Sequence, residues 1–311
     1  RDTSRGLVGS EMCIRDSGLR VPGHGTVPAG LVESSWQDMA AAVELAARHL
    51  RDSLRDKPLY LLGYSNGGAL SIEYTLSALN DPTLPRVAGV ILLSPEIGVS
   101  GAAALAVWQA HLGHLLGLEK LAWNSLGPEY DPFKYVSFAV NAGDLAHRIT
   151  GEIQRLLGRL EVSGRLGEIP PIIAFQSAVD ATVSAAALVT NLFDRLPAAG
   201  HELVLFDINR RVEVEPLLKQ DPRQVFQPLL SSGQRPYHLT IISNEDTESD
   251  RVIARTSRVG EAAPAAAVQA GSWPPGVFSL SHVALPIPPH DPLYGGCLLY
   301  TSDAADDLYT G

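Results

Sequence analysis

Ser65 stands where a side chain can do chemistry. It lies in Gly63-Tyr64-Ser65-Asn66-Gly67-Gly68, after the apolar run Leu59-Tyr60-Leu61-Leu62 and before the helix-forming stretch Ala69-Leu70-Ser71-Ile72-Glu73-Tyr74. Strand, Gly-x-Ser-x-Gly and helix in direct succession make a nucleophile elbow. So tight a turn strains its apex and brings strand and helix backbones together. Gly63 and Gly67 are expected where a Cβ would collide. The Ser65 hydroxyl is left at the head of a helix, with the Asn66 N–H facing the same space as an oxyanion donor. A serine hydroxyl is a poor nucleophile at neutral pH. It needs a base within hydrogen-bond reach, and the base needs an acid to orient it and stabilise its cation. Asp180 and then His282 follow Ser65 along the chain, each just past an apolar, strand-like run.

The elements that must position these residues alternate. Residues 19–21 look like the tail of a strand, and Pro22-Gly23-His24-Gly25 is a turn. Ser35 and Asp38 open a helix as a loose capping box, and Met39, Val43, Ala46, Ala47 and Leu50 recur on it at helical spacing. Residues 87–94 read as a buried strand. Residues 169–180 form another that ends at Asp180, and 201–207 and 237–243 two more, with a helix over 184–196. Strands alternating with helices imply a mostly parallel sheet covered on both faces. Residues 99–168 break the rhythm. Helical spacing recurs over 102–118 and 144–160, an irregular aromatic stretch lies between, and no strand intervenes. Such an insertion is expected to form a helical lid over the sheet's carboxyl edge, where ligands bind in α/β sheets. Residues 208–276 are less legible, and 262–270 read as an Ala/Pro-rich loop.

The two ends carry a different signature. Residues 7–17 and 297–302 resemble translations of the two strands of one transposase-type sequencing adaptor, and 303–307 continue as the rest of it would. Residues 1–17 and 297–311 are therefore set apart from the fold. Both cysteines, Cys13 and Cys297, fall in these ends, so cysteine says nothing about redox compartment. The chain has a formal net charge of −10 over 311 residues, which leaves no electrostatic footprint for nucleic acid. No apolar run reaches membrane-spanning length. The remainder suffices for one large α/β domain, with 18–98 and 169–296 as its core.

Several segments together carry a resemblance: Arg20-Val21-Pro22-Gly23-His24-Gly25-Thr26, the elbow, Ser281-His282-Val283-Ala284-Leu285-Pro286 and Asp291-Pro292-Leu293-Tyr294-Gly295. Over 18–296 the chain resembles the α/β-hydrolase superfamily, and within it bacterial carboxylesterases, lysophospholipases and serine-aminopeptidase-like members. The resemblance implies that Ser65 attacks, His282 shuttles the proton and Asp180 orients His282. It implies hydrolysis of a carboxylic ester with an acyl or lysophospholipid-like substrate, through an acyl-enzyme on Ser65. Amide or peptide hydrolysis by the same triad is one alternative, and a non-catalytic binding protein of the same fold is another. Neither cofactor nor metal is implied, nor any nucleic-acid partner, and the protein would be bacterial, cytoplasmic or periplasmic.

Asp207 also ends a strand pattern; Asp180 is preferred because the acid follows the strand before the one leading towards the histidine. His24 is expected to brace its turn. His111 and His114 lie on a lid helix and form no three-ligand metal set. His238 lies in a strand pattern and His290 in a Pro-rich loop. The separation of His282 from Asp180 is long for the family and requires an insertion. In the family, a strand and an oxyanion loop of His-Gly type precede the Pro-Gly-His-Gly segment, and nothing here matches them. The elbow strand is thus expected to lack its neighbour, and the site one oxyanion donor, a loss of about 3–4 kcal/mol of transition-state stabilisation. An uncovered strand edge also invites aggregation. On these grounds the chain is expected to be a weakly active, poorly folding fragment of an active enzyme.

Overall fold

The computed structural model describes residues 17–25, 27–54, 57–98, 122–129, 135–178, 180, 183–207, 234–246, 248–261 and 265–272. Of the ends set apart above, 1–17 and 297–311, all but Ser17 lie outside the described residues, as do 102–118, expected in the lid, and His282.

A short helix, α1 (Gly30–Glu33), leads into α2 (Trp36–Leu54). The capping box of α2 closes fully even with aspartate in place of glutamate. The Asp38 N–H donates to Ser35 Oγ at 3.1 Å, and the Ser35 N–H donates to Asp38 Oδ2 at 3.1 Å, so each residue satisfies a backbone donor of the other. Strand β1 (Leu59–Tyr64), helix α3 (Asn66–Asn80) and strand β2 (Val87–Leu93) follow as one β–α–β unit. Strands β3 (Trp123–Ser125) and β4 (Phe138–Ala139) pair as a small separate ribbon. Helix α4 (Val140–Val162), strand β5 (Ile172–Ser177), helix α5 (Ala185–Asn191) and strand β6 (Glu202–Asp207) restore the alternation. Three strands end the described chain: β7 (His238–Asn244), β8 (Arg251–Ser257) and β9 (Ala265–Ser272).

Seven strands form one sheet in the order β1-β2-β5-β6-β7-β8-β9. The first five run parallel and the last two antiparallel. Parallel pairing sends the ends of β1, β2 and β5 to the same edge, and these strands carry Ser65, Glu96 and Asp180 just beyond their last residues. The main core lies between the helices and the sheet face bearing Val90, Leu92, Ile172, Ala174, Leu203 and Leu205. On the opposite face Val204 and Phe206 form a smaller cluster with Phe175, Ile242 and Val252. Among the described residues β1 is an edge strand, and Tyr60, Leu62 and Tyr64 on it are exposed.

Four features depart from the sequence reading. Residues 19–21, expected as the tail of a strand, form none, and the ribbon β3–β4 lies in the stretch where no strand was expected. Residues 144–160 do not belong to a lid. Helix α4 packs against α3, and its stripe of Leu145, Ile149, Ile153, Leu156 and Leu160 sits in the main core. Its apolar spacing promised a buried face but not which surface covers it. Residues 265–270, expected in a loop, form most of β9, which pairs antiparallel with β8; ladder pairing overrides the poor strand propensity of alanine.

His201 is fully buried at the start of β6 and accepts the Ile172 N–H on Nδ1 at 3.2 Å. Burial pushes its pKa down to about 4. It is a neutral packing group at the strands' amino ends, away from the edge that carries Ser65 and Asp180.

Candidate active site

The elbow is held by backbone groups. Ser65, which caps α3, has φ 51° and ψ −119°, a left-handed conformation that L side chains rarely adopt. Its N–H donates to the Leu93 carbonyl at 3.0 Å. Its own carbonyl accepts the N–H groups of Gly68 at 2.9 Å, Ala69 at 3.3 Å and Glu96 at 3.0 Å. The Ser65 side chain makes no capping bond. Strain of this kind persists only where surrounding structure over-determines it, and here four backbone bonds do so. Asn66 is the first residue of α3, so its N–H has no intrahelical acceptor and stands beside Ser65. Its side-chain Nδ2 reaches Met39 Sδ at 3.5 Å.

The glycines divide differently from expectation. A Cβ on Gly63 would lie 2.3 Å from the Gly67 oxygen, and one on Gly68 would lie 2.7 Å from Pro95 Cβ. Gly67, expected to be equally confined, would meet nothing within 4 Å. The close approach of strand to helix is made by Gly63, and that of the helix to the β2 exit turn by Gly68.

That exit turn is Ser94-Pro95-Glu96. Ser94 also has positive φ, at 43°, and its N–H donates to the Phe175 carbonyl at 2.8 Å. Two strained residues thus stand side by side on neighbouring strands. Glu96, tied to Ser65 through the backbone, carries a buried carboxyl, and burial alone pushes its pKa up to about 7. The folded chain keeps this proton over a range in which the unfolded chain has released it. Stability is therefore lost as pH rises from about 4.5 towards 7, by on the order of 3 kcal/mol in full. Glu96→Gln is expected to raise the melting temperature at pH 8 and leave it nearly unchanged at pH 4. An equal shift at both pH values would show that the carboxyl's charge is not the cause.

Asp180 lies beyond β5, the second neighbour of β1 in the sheet. Its Oδ1 accepts the Val183 N–H at 2.9 Å, and its Oδ2 accepts Gln176 Nε2 at 2.9 Å. Two strand spacings of about 4.8 Å each separate the ends of β1 and β5 in the sheet. Ser65, Asn66 and Asp180 thus gather at one edge. Asp207 ends β6, one strand further from Ser65. His24 braces its turn as expected, with Nδ1 3.2 Å from the Pro22 carbonyl. His238 is the first residue of β7, at the amino end of that strand. Two groups of this site went unread in the sequence, Glu96 and Gln176; the only signal was a polar residue within or just after an apolar run.

Between α2, α3 and α4 lies an open cavity of about 470 Å³, lined by Trp36, Glu44, Glu73, Tyr74, Glu152 and Arg155 among others. It shares no residue with the elbow. Among the described residues no group of three or more His, Cys, Asp or Glu is arranged to hold a metal ion.

The chain matches the family model described as "Serine aminopeptidase, S33" over residues 19–208. No curated protein sequence matches it. Among solved structures, one from the pair of metagenome-derived lipolytic enzymes LipS and LipT is similar at 21% identity and a TM-score of 0.42. That likeness covers 67% of this chain and 80% of the other. A soluble variant of monoglyceride lipase from Saccharomyces cerevisiae, in complex with a substrate analog, is similar at 16% identity and a TM-score of 0.40, covering 60% of this chain and 66% of its own. A highly thermostable carboxyl esterase from Bacillus coagulans, in complex with glycerol, gives 12% identity and a TM-score of 0.38, covering 63% and 72%.

Proposed function

We propose, from the premise that the chain belongs to the serine aminopeptidase S33 family of hydrolases, that it cleaves a carboxylic ester through an acyl-enzyme on Ser65. The observation that carries this reading is the elbow. A strained serine, fixed by backbone bonds alone, shares the sheet's carboxyl edge with an anchored aspartate. Ser65 Oγ attacks the carbonyl carbon while the His282 imidazole takes its proton. The oxyanion that forms accepts the Asn66 N–H, and Asp180 stabilises the imidazolium. Collapse expels the alcohol, which receives that proton. Water then attacks the acyl-enzyme with the same imidazole as base, releasing the carboxylic acid and restoring Ser65. The expected substrate is an acyl or lysophospholipid-like ester.

Amide or peptide hydrolysis by the same residues is the second reading, favoured by the family's description as an aminopeptidase. Turnover of a p-nitrophenyl ester against an aminoacyl p-nitroanilide separates the two. The ester is expected to be the better substrate by kcat/KM. A preference for the anilide would replace the ester reading, and a folded protein that turns over neither would overturn hydrolysis altogether.

A further inference from the structure

Gln176 holds a position that its own hydrogen bonding does not justify. It is the fifth residue of β5 and is fully buried. Its Nε2 donates to Asp180 Oδ2 at 2.9 Å, and lies 3.3 Å from the Ser177 carbonyl and 3.5 Å from that of Val183. Its Oε1 is buried and finds no donor among the described residues. Turning the amide over would set Oε1 against three acceptors, one of them a carboxylate, so the orientation is fixed. A buried acceptor left unpaired is a cost. A leucine would pack this point of an apolar strand without that cost. What the amide supplies and a leucine does not is the bond to Asp180.

The carboxylate is thereby gripped at both oxygens, Oδ1 by the Val183 N–H and Oδ2 by Gln176. Its plane is fixed, and with it the direction from which it can accept an imidazole N–H. We propose that Gln176 is a positioning residue for Asp180, aiming the acid at the imidazole that serves Ser65. This rests on the reading of Asp180 as the acid of the triad. An acid free to turn would let the imidazole drift from the serine hydroxyl, and misplacement by about 1 Å costs on the order of a hundredfold in rate.

The test is steady-state kinetics on a p-nitrophenyl ester, with melting curves, for Gln176→Leu, Asp180→Asn and the double variant. Gln176→Leu is expected to lower kcat by about tenfold to a hundredfold, with KM changed less than about twofold and no loss of melting temperature. In the Asp180→Asn background the same substitution is expected to add nothing, because the two act as one unit. A full kcat loss that persists in that background would overturn the proposal, as would an unchanged kcat with a lowered melting temperature. An unaffected kcat in Asp180→Asn alone would remove the acid itself, and the proposal with it. If Gln176→Leu does not fold, the near-isosteric Gln176→Glu serves. It sets a second carboxyl against Asp180 and is expected to move the acid limb of kcat to higher pH; an unmoved limb would overturn the proposal.

Discussion

Ser65→Ala is expected to leave a folded protein whose ester hydrolysis falls by about 10⁴–10⁶-fold. The fold should survive because the hydroxyl does no structural work at the elbow. The turn is held by the Ser65 N–H on Leu93 and by the Ser65 carbonyl's three donors, all of them backbone bonds that alanine keeps. The strained φ of 51° is no easier for alanine than for serine. Activity should collapse because the nucleophile is lost, and what remains is binding and the oxyanion donor. The measurement is kcat/KM on a p-nitrophenyl ester beside a melting curve. Residual activity above about a hundredth of the parent, in an intact fold, would move the nucleophile elsewhere.

The largest effect on stability is expected at Gly63. An added Cβ would meet only backbone: the Gly67 oxygen at 2.3 Å, the Gly67 carbonyl carbon at 2.5 Å and the Gly68 nitrogen at 2.6 Å. No side chain can step aside, so relief requires α3 to lift from β1. The two together bury Ala69, Leu70, Ile72 and Leu76 in the core, with Leu61 packed half-buried against it. Gly63→Ala is expected to cost about 3 kcal/mol or more, which for a domain of this size lowers the melting temperature by roughly 10 °C. Gly67→Ala is the control. Its Cβ would meet nothing within 4 Å in the first turn of a helix, where alanine is preferred to glycine by about 0.5–1 kcal/mol. Equal melting temperatures for the two variants would contradict the account of the elbow's close approach.

The sheet edge at which Ser65 and Asp180 stand was legible because its strands centre on uncharged apolar runs bounded by glycine, proline or a polar residue. β1, β2, β5 and β6 all have this form. The elbow glycine, Ser65 and Asp180 follow from those ends. The pattern says nothing about direction of approach, which is why Gly67 was expected to be confined and Gly68 was not singled out. β8 was hidden by its arginines, Arg251 and Arg255, and β9 by its alanines. Antiparallel strands at the margin of a sheet need not be continuous apolar runs. The stripe on α4 was visible, but only α3 beneath it tells core from lid. Glu96 and Gln176 were not found, for related reasons. A charge just past a strand reads as solvated, and one amide in a strand reads as neutral. Their meaning arises from burial, which the chain acquires only on folding.

Covalent labelling of the active protein with a fluorophosphonate, followed by peptide mass mapping, tests the central claim most directly. One adduct is expected, on the peptide carrying Ser65, in step with loss of hydrolysis and absent from Ser65→Ala. Loss of hydrolysis with the adduct on another residue, or sustained hydrolysis with Ser65 fully modified, would contradict the account.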